Sequence, residues 1–333
     1  MQEFLIGIDI GGTNTKILIT DLHLNTFDSR VINTRLGISL DEYSEDVINA
    51  VEECFSSHGI DKKRVVSVGM GIPGLVDYFA NKSIYLPLHD WDGIDPCEQI
   101  AAHFNAVSSV DNDANINALG EYYFGKGRDY RNMVYLTLGT GLGGAVIIDG
   151  KLLRGKRNAC AEMGHICIQS KGGRRCVCGR NGCFQSYCSG TVMTELAGDA
   201  CRRYPESMLA KYAKESGSAF NNALVSKAAQ EGDTAALEVM DEIAFYLGVG
   251  VATIQKIFDP DAVFIGGGVS NAGELLLEPA RKVAAQEVMH PVQGCGIFKA
   301  TLGMNSGMYG AAVLAAMKIG IDVDTVTKQV HPI

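Results

Sequence analysis

Apolar residues recur along the chain in short alternating or continuous runs and, elsewhere, at every third or fourth position. The first run, FLIGIDIGGTNTKILITD (residues 4–21), reads as an apolar strand, a Gly/Thr turn and a second apolar strand ending on an aspartate. The stretch VYLTLGTGLGGAVIIDG (residues 134–150) repeats that plan. A supersecondary unit that occurs twice predicts an α/β chain of duplicated halves facing each other across a cleft. Between the copies, residues 39–57 read as an amphipathic helix, VVSVGMGIPG (65–74) as a strand, and AVSSVDNDAN as a shorter strand feeding a helix from near Asn115. Further on, residues 224–258 are mostly helical in pattern, and DPDAVFIGGGVSNAGELLLEPARKVA reads as strand, glycine turn and helix. The apolar helix 306–319 can fold back on the first half, giving a small α/β domain at 1–119 plus 306–333 and a larger one at 120–305.

With 333 residues, 47% hydrophobic and 20% charged, the chain is an ordinary globular one, long enough for about two domains. A formal net charge of -9 disfavours broad binding to nucleic acid or to an anionic membrane. An anionic small ligand therefore needs a local positive device, such as backbone N–H groups or a metal ion. The opening MQEFLIGIDIGG lacks the basic segment of a signal peptide, and no stretch is long and apolar enough to span a bilayer. Ten cysteines spread through so large a chain suit the reducing cytoplasm better than a disulfide framework.

The turn DIGGTNTK (residues 9–16) removes side chains at Gly11 and Gly12, so backbone N–H groups can approach phosphate oxygens, while Thr13 and Thr15 add hydroxyls and Asp9 can hold Mg²⁺ through water. Alone it reads equally well as a tight turn. Its second copy, LGTGLGG, with Thr140 and Gly141, favours two turns clamping one polyphosphate. No P-loop pattern occurs. The cluster at Gly267 and Gly268 ends a strand and opens a helix, which suits the nucleoside end of a nucleotide or a plain strand–helix turn. VDNDAN (residues 110–115) sets two aspartates and two asparagines at a strand end, where an aspartate can accept a hydroxyl proton and an asparagine can orient that hydroxyl. The plainer reading is a helix N-cap.

GHICIQSKGGRRCVCGRNGC (residues 164–183) holds one histidine and four cysteines in a basic, glycine-rich stretch. Cys176, Cys178 and Cys183 form a tight knuckle able to wrap a tetrahedral metal, with His165 as fourth ligand; Zn²⁺ favours such a set, and four protein ligands make the site structural. Cys167 and Cys188 remain as competing ligands or buried thiols. A metal-bound His165 would fix the direction of Glu162 in AEMGH.

Together DIGGTNTK, GIPG, VDNDANINALGE, LGTGLGGAVIIDG, EMGH and CVCGRNGC resemble the ROK family of bacterial sugar kinases, from Asp9 to the terminal GAAVLAA. The resemblance implies the actin-like, hexokinase-type two-domain ATPase fold, ATP with Mg²⁺, a Cys₃His structural Zn²⁺, a homodimer or homotetramer, and phosphorylation of a hexose at its 6-hydroxyl. It matches Asp113 to the base that takes the hydroxyl proton, and Gly74, Asn112, Glu162 and His165 to sugar contacts. Asp9, Gly11, Gly12, Thr13, Asn14, Lys16, Thr140 and Gly141 match the phosphate and Mg²⁺ turns, Gly267 and Gly268 the nucleotide end, and His165, Cys176, Cys178 and Cys183 the zinc ligands. Two residues after GC the family's sugar kinases place a Glu that contacts the sugar, and here Gln185 stands there. An amide donates where a carboxylate only accepts, so the expectation is a preferred sugar other than glucose. Asp111 stands where many members have Glu. A family repressor would carry a DNA-binding domain ahead of the first hairpin, which here begins at Asp9, and a silent sugar sensor would be expected to lose the base or a phosphate turn.

Overall fold

The first hairpin pairs β1 (Phe4–Ile10) with β2 (Asn14–Asp21) antiparallel, and β3 (Thr26–Asn33) extends it. The computed structural model describes residues 2–87, 89–217, 220–289 and 294–330. It divides into two units, Met1–Asp129 with Lys151–Cys160 and Thr301–Ile333, and Tyr130–Gly150 with Ala161–Ala300. In the first unit, α1 (Leu40–Ser57) starts at a capping box: Glu42 N–H donates to Ser39 Oγ at 3.2 Å, and Ser39 N–H donates to Glu42 Oε2 at 3.0 Å. Its buried Tyr43, Val47, Val51, Cys54 and Phe55 follow the helical period. β4 (Val65–Ile72) lies parallel to β1, and after β5 (Leu75–Asp77), β6 (Lys82–Tyr85) and α2 (Glu98–Phe104), β7 (Val107–Asn112) lies parallel to β4. The sheet order is β3-β2-β1-β4-β7.

Helix α3 (Asp113–Phe124) begins two residues before the expected Asn115, because the Asn112 side chain accepts the N–H groups of Ala114 and Asn115 and so caps it. It also runs through Gly120, where the sequence pattern places a boundary, and the first division falls after Asp129. Residues 301–305 join the first unit for a visible reason. Glu121, fully buried on α3, accepts both the N–H and the hydroxyl of Thr301 and the N–H of Leu302 at 2.6–3.1 Å, which fixes the returning chain.

The second unit repeats the topology. β8 (Met133–Leu138) and β9 (Leu142–Ile148) form the second hairpin; the short β10 (Lys151–Leu152) follows in the first unit. After the knuckle come α4 (Gln185–Cys188), α5 (Gly190–Arg203), α6 (Met208–Ser216), α7 (Asn222–Gln230) and α8 (Thr234–Phe258). The helical run 224–258 is thus two helices, broken where Gly232 takes φ +82° and Asp233 caps α8. β11 (Ala262–Gly266) lies parallel to β8; α9 (Glu274–Glu287) follows, and β12 (Gly296–Lys299) lies parallel to β11. The order β9-β8-β11-β12 matches β2-β1-β4-β7 step for step: one antiparallel pair, then two parallel ones.

The last long helix, α10 (Ser306–Lys318), belongs to the first unit with the short α11 (Val323–Val330). It lies on β1, β4 and α3 through glycines: a Cβ on Gly7 would overlap Ala312 N, one on Gly69 the Ala311 carbonyl, and one on Gly310 the Ile116 carbonyl. Backbone cannot yield as a side chain can. Gly310→Ala should therefore destabilise the protein by about 1–3 kcal/mol or more, read as a lower urea midpoint. Gly198→Ala on α5, where the new methyl would meet only Arg202 Nη1 at 3.8 Å, should be neutral or stabilising by up to about 1 kcal/mol. Equal midpoints for the two variants would remove the packing account.

Candidate active site

Because β1, β4 and β7 are parallel, their C-terminal ends lie on one edge of the first sheet, where open α/β sheets receive ligands. The register sets Asp9, Gly71 and Asp111 in one row across the three strands, about 10 Å from first to last at two strand spacings. Beyond Asp9 the turn is held by Gly11 N–H donating to Asn14 O at 3.0 Å; Gly12 and Thr13 are exposed, and a Cβ on Gly12 would meet nothing. Lys16, directly across from Asp9, donates its ammonium to the Met304 carbonyl. Burial pushes the Asp9 carboxyl up to about 6, with Lys16 pulling the other way.

Gly74 and Asn112 meet: Asn112 Nδ2 donates to the Gly74 carbonyl at 2.8 Å. Gly74 adopts φ +109°, and a Cβ there would overlap the Tyr85 carbonyl, so only glycine fits. The plainer N-cap reading of Asn112 is correct as far as its Oδ1 goes. Asp113 is the first residue of α3 and is half-buried. Beneath this pair lies a buried hydrogen-bond cluster. The fully buried Asp111 carboxylate accepts from Arg154 Nη1, from Asn158 Nδ2 at 3.0 Å, from Asn115 Nδ2 at 2.8 Å and from the Asn112 N–H at 2.8 Å. Arg154 also lies over the Tyr78 ring, 3.4 Å from its centroid. Arg154 and Asn158 carry no motif, and only the fold brings them to a strand end more than forty residues earlier.

In the second unit, the β8–β9 turn carries Thr140, exposed, and Gly141, half-buried. Gly139 N–H donates to Gly141 O at 3.0 Å, and Gly190 N–H at the start of α5 donates to Gly139 O at 2.8 Å. Gly267 follows β11 with φ +80°, and a Cβ on it would overlap the Leu138 carbonyl. The two turns are therefore neighbours at the C-terminal edge of β8 and β11, and Gly268 is open.

Glu162 lies just before a single 3₁₀ turn that ends at His165, and His165 N–H donates to the Glu162 carbonyl at 3.0 Å. Burial raises the Glu162 carboxyl above the ordinary range, with His165 opposing. The preceding Ala161 holds φ +66°, an unusual state for a residue with a Cβ. His165, Cys176, Cys178 and Cys183 bring one donor atom each to within 4.8 Å of one another; Cys176 Sγ is 3.7 Å from His165 Nδ1, and Cys178 Sγ is 3.6 Å from Cys183 Sγ. Tetrahedral zinc ligands stand about 3.8 Å apart for two sulfurs and about 3.6 Å for sulfur and nitrogen, so the set fits. Cys167 and Cys188 are outside it: Cys167 is exposed with its thiol towards Asn181 O, and Cys188 is fully buried in the second unit's core. Burial and the neighbouring Cys178 and Cys176 push Cys183 up to about 12. Burial works against Cys176 ionising as well, yet hydrogen bonds from the Cys178 backbone, Gln185 and others draw it down to about 6. Gln185, expected as a sugar contact, has both ends of its amide engaged here: Nε2 donates to Cys176 Sγ at 3.2 Å, and Oε1 faces Leu142 N–H at 3.4 Å.

The sequence profile of the ROK family matches residues 5–318. A glucokinase of Streptomyces coelicolor is 34% identical over 316 residues, 93% of this chain and 96% of its own. A xylose repressor of Caldicellulosiruptor bescii is 28% identical over 282 residues, 85% of this chain and 70% of the repressor. The crystal structure of a ROK family glucokinase from Streptomyces griseus in complex with glucose and AMPPNP aligns with a TM-score of 0.77 at 32% identity, covering 94% of this chain and 99% of that one. Among the described residues, no helix is long and apolar enough to cross a membrane.

Asp9 yields a pH signature. Its carboxyl holds a proton more tightly folded than unfolded, so its stabilising contribution is complete below about pH 4 and is lost as pH rises through about 6. Asp9→Asn should remove up to about 3 kcal/mol of that slope, seen as urea midpoints that fall less between pH 4 and 7 than in wild type. Parallel pH profiles for the two proteins would contradict the buried-carboxyl account.

Proposed function

The chain belongs to the ROK family and has the actin-like ATPase fold, and from that premise we propose that it transfers the γ-phosphoryl group of ATP to a hexose, at the 6-hydroxyl. The feature that supports this most is the shared strand-end edge of the first unit, with a glycine–threonine turn after β1 and the Asn112–Asp113 pair where β7 passes into α3. Asp113 takes the proton of the sugar hydroxyl while the sugar oxygen bonds to the γ-phosphorus; the bond from that phosphorus to the β–γ bridging oxygen breaks, and ADP leaves. Asn112, Gly74, Glu162 and His165 orient the sugar. Gly11, Gly12, Thr13, Asn14, Lys16, Thr140 and Gly141 receive the phosphates, and Gly267 and Gly268 the nucleoside end. Mg²⁺, held through Asp9, would supply positive charge to the phosphate oxygens. Most of the rate then comes from position and fixed dipoles.

His165, Cys176, Cys178 and Cys183 would hold one Zn²⁺, and because all four donors come from the protein its part would be structural. Bound there, the ion would cross-link the loop and so hold Glu162 in place. The family likeness also carries a cytoplasmic homodimer or homotetramer.

Asp113→Asn keeps the shape of the side chain and removes the base. It should lower kcat by roughly 10²- to 10⁴-fold while leaving sugar affinity, measured by calorimetry, within a few-fold of wild type. Near-normal turnover in a coupled ADP assay rejects the assignment, and binding of hexose without any turnover by wild type points to a silent sugar-binding protein. Cys178→Ser should lose zinc and weaken sugar binding together, because metal and loop order are coupled; elemental analysis with a sugar titration checks it, and unchanged affinity in a zinc-free variant separates the two.

A further inference from the structure

In the first unit, away from the strand-end edge, three side chains of different chemistry converge. Asp28 comes from β3, and Cys54 and His58, one helical turn apart, come from the end of α1 and its C-cap. One donor atom of each lies within 4.8 Å of the others. The fully buried Cys54 thiol donates to Asp28 Oδ2 at 2.9 Å, while Asp28 Oδ1 accepts from Arg30 Nη1 and from the Ser29 N–H, both at 2.7 Å. His58 Nδ1 stands 2.9 Å from the Cys54 carbonyl, which can only accept, so Nδ1 carries the proton and Nε2 keeps a lone pair. Phe27 meets the same ring edge-on, with centroids 4.9 Å apart. A carboxylate steadied by outer donors and an imidazole that gives its second N–H to a carbonyl are supports that metal ligands characteristically have.

We propose that Asp28, Cys54 and His58 form a cation site separate from the knuckle, one that takes a thiophilic divalent ion of the Zn²⁺, Co²⁺ or Cd²⁺ class with water as the fourth ligand. Tetrahedral ligands of such an ion stand about 3.4–3.6 Å apart, so the three donors need shifts of about an ångström. The exposed His58 and the half-buried Asp28 can make them. The entering ion displaces the thiol proton to solvent, and a sulfur–ion bond replaces the S–H bond. Sulfur and imidazole donors discriminate against Mg²⁺ and Ca²⁺, so the Mg²⁺ that accompanies a nucleotide does not compete. The site ties β3 to the end of α1. Further along the same strand, the Thr34 N–H donates to Thr13 O in the phosphate turn at 2.8 Å. That point is about 20 Å from Asp28 at the usual rise of a strand. Filling the site therefore stabilises the first unit and leaves turnover as it is.

The test loads full-length wild type, His58→Gln, Cys54→Ser and Cys178→Ser with ¹¹³Cd²⁺ and compares them by NMR, where each thiolate ligand moves the cadmium resonance downfield. Wild type should show a resonance in the range of a single-thiolate site, and His58→Gln and Cys54→Ser should lose it. Cys178→Ser, which alters the knuckle alone, should keep it, so the outcome does not depend on whether the knuckle holds a metal. Added Zn²⁺ should raise the urea midpoint of wild type more than that of His58→Gln, because only the folded trio binds the ion, and kcat should be the same for the two proteins. His58 is exposed, so His58→Gln keeps the test decisive even where the buried Cys54→Ser fails to fold. No single-thiolate resonance in wild type, or one that survives His58→Gln, overturns the inference and leaves the trio a hydrogen-bonded cluster. Zn²⁺ shifts of equal size in wild type and His58→Gln overturn it too, and a lower kcat in His58→Gln overturns the purely structural role.

Discussion

How closely α10 can lie on β1, β4 and α3 decides where the strand-end edge of the first unit places its side chains. Gly7, Gly69, Gly120 and Gly310 let backbone meet backbone along this seam, and at each a single methyl would overlap main-chain atoms. Dispersion falls steeply with distance, so a seam this close is both well packed and intolerant. Helix α3 transmits the result: Gly120 lies against Ser306, and a rigid helix carries any displacement there to Asp113 at its first turn. Gly71 adds a second tie, since Ile116 of α3 occupies the space its side chain would take.

Two fully buried carboxylates complete the framework. An ionised group out of water is tolerable only when hydrogen bonds replace hydration, and once they do, removing any partner is costly. Glu121 binds the segment that returns at Thr301, and Asp111 binds Arg154 and Asn158 of the excursion at residues 151–160. Each joins stretches far apart in the chain, so the first unit is closed by electrostatics as well as by its apolar core. Asp111 does so next to Asn112 and Asp113, which ties the order of the candidate base to that excursion.

In the second unit the knuckle plays the corresponding part. It is anchored at Phe184, stitched to Tyr187 by the Arg174 N–H at 2.7 Å, and tied through Gln185 to the β8–β9 turn. Ala161 in a left-handed conformation just ahead of Glu162 shows that local preference yields there to the surrounding structure.

The duplicated hairpins, the capped helix after Ser39, the glycine turns at Gly11 and Gly141 and the Cys/His spacing could all be read from residues near one another in sequence. These features rest on local causes: side-chain period, capping, freedom at φ, and ligand spacing. The bounds of the first unit could not be read so, because α3 continues through Gly120 and the segment that rejoins the unit is held by a Glu121–Thr301 contact across 180 residues. Nor could the donors around Asp111, since Arg154 and Asn158 have no signature until the fold brings them to β7. Gln185 shows the division most plainly. Its identity and its place two residues after Cys183 were evident in the chain, and the family resemblance made that position a sugar contact. Which atoms its amide meets was decided only by tertiary packing, through a buried Phe184 on one side and the glycines of a distant turn on the other.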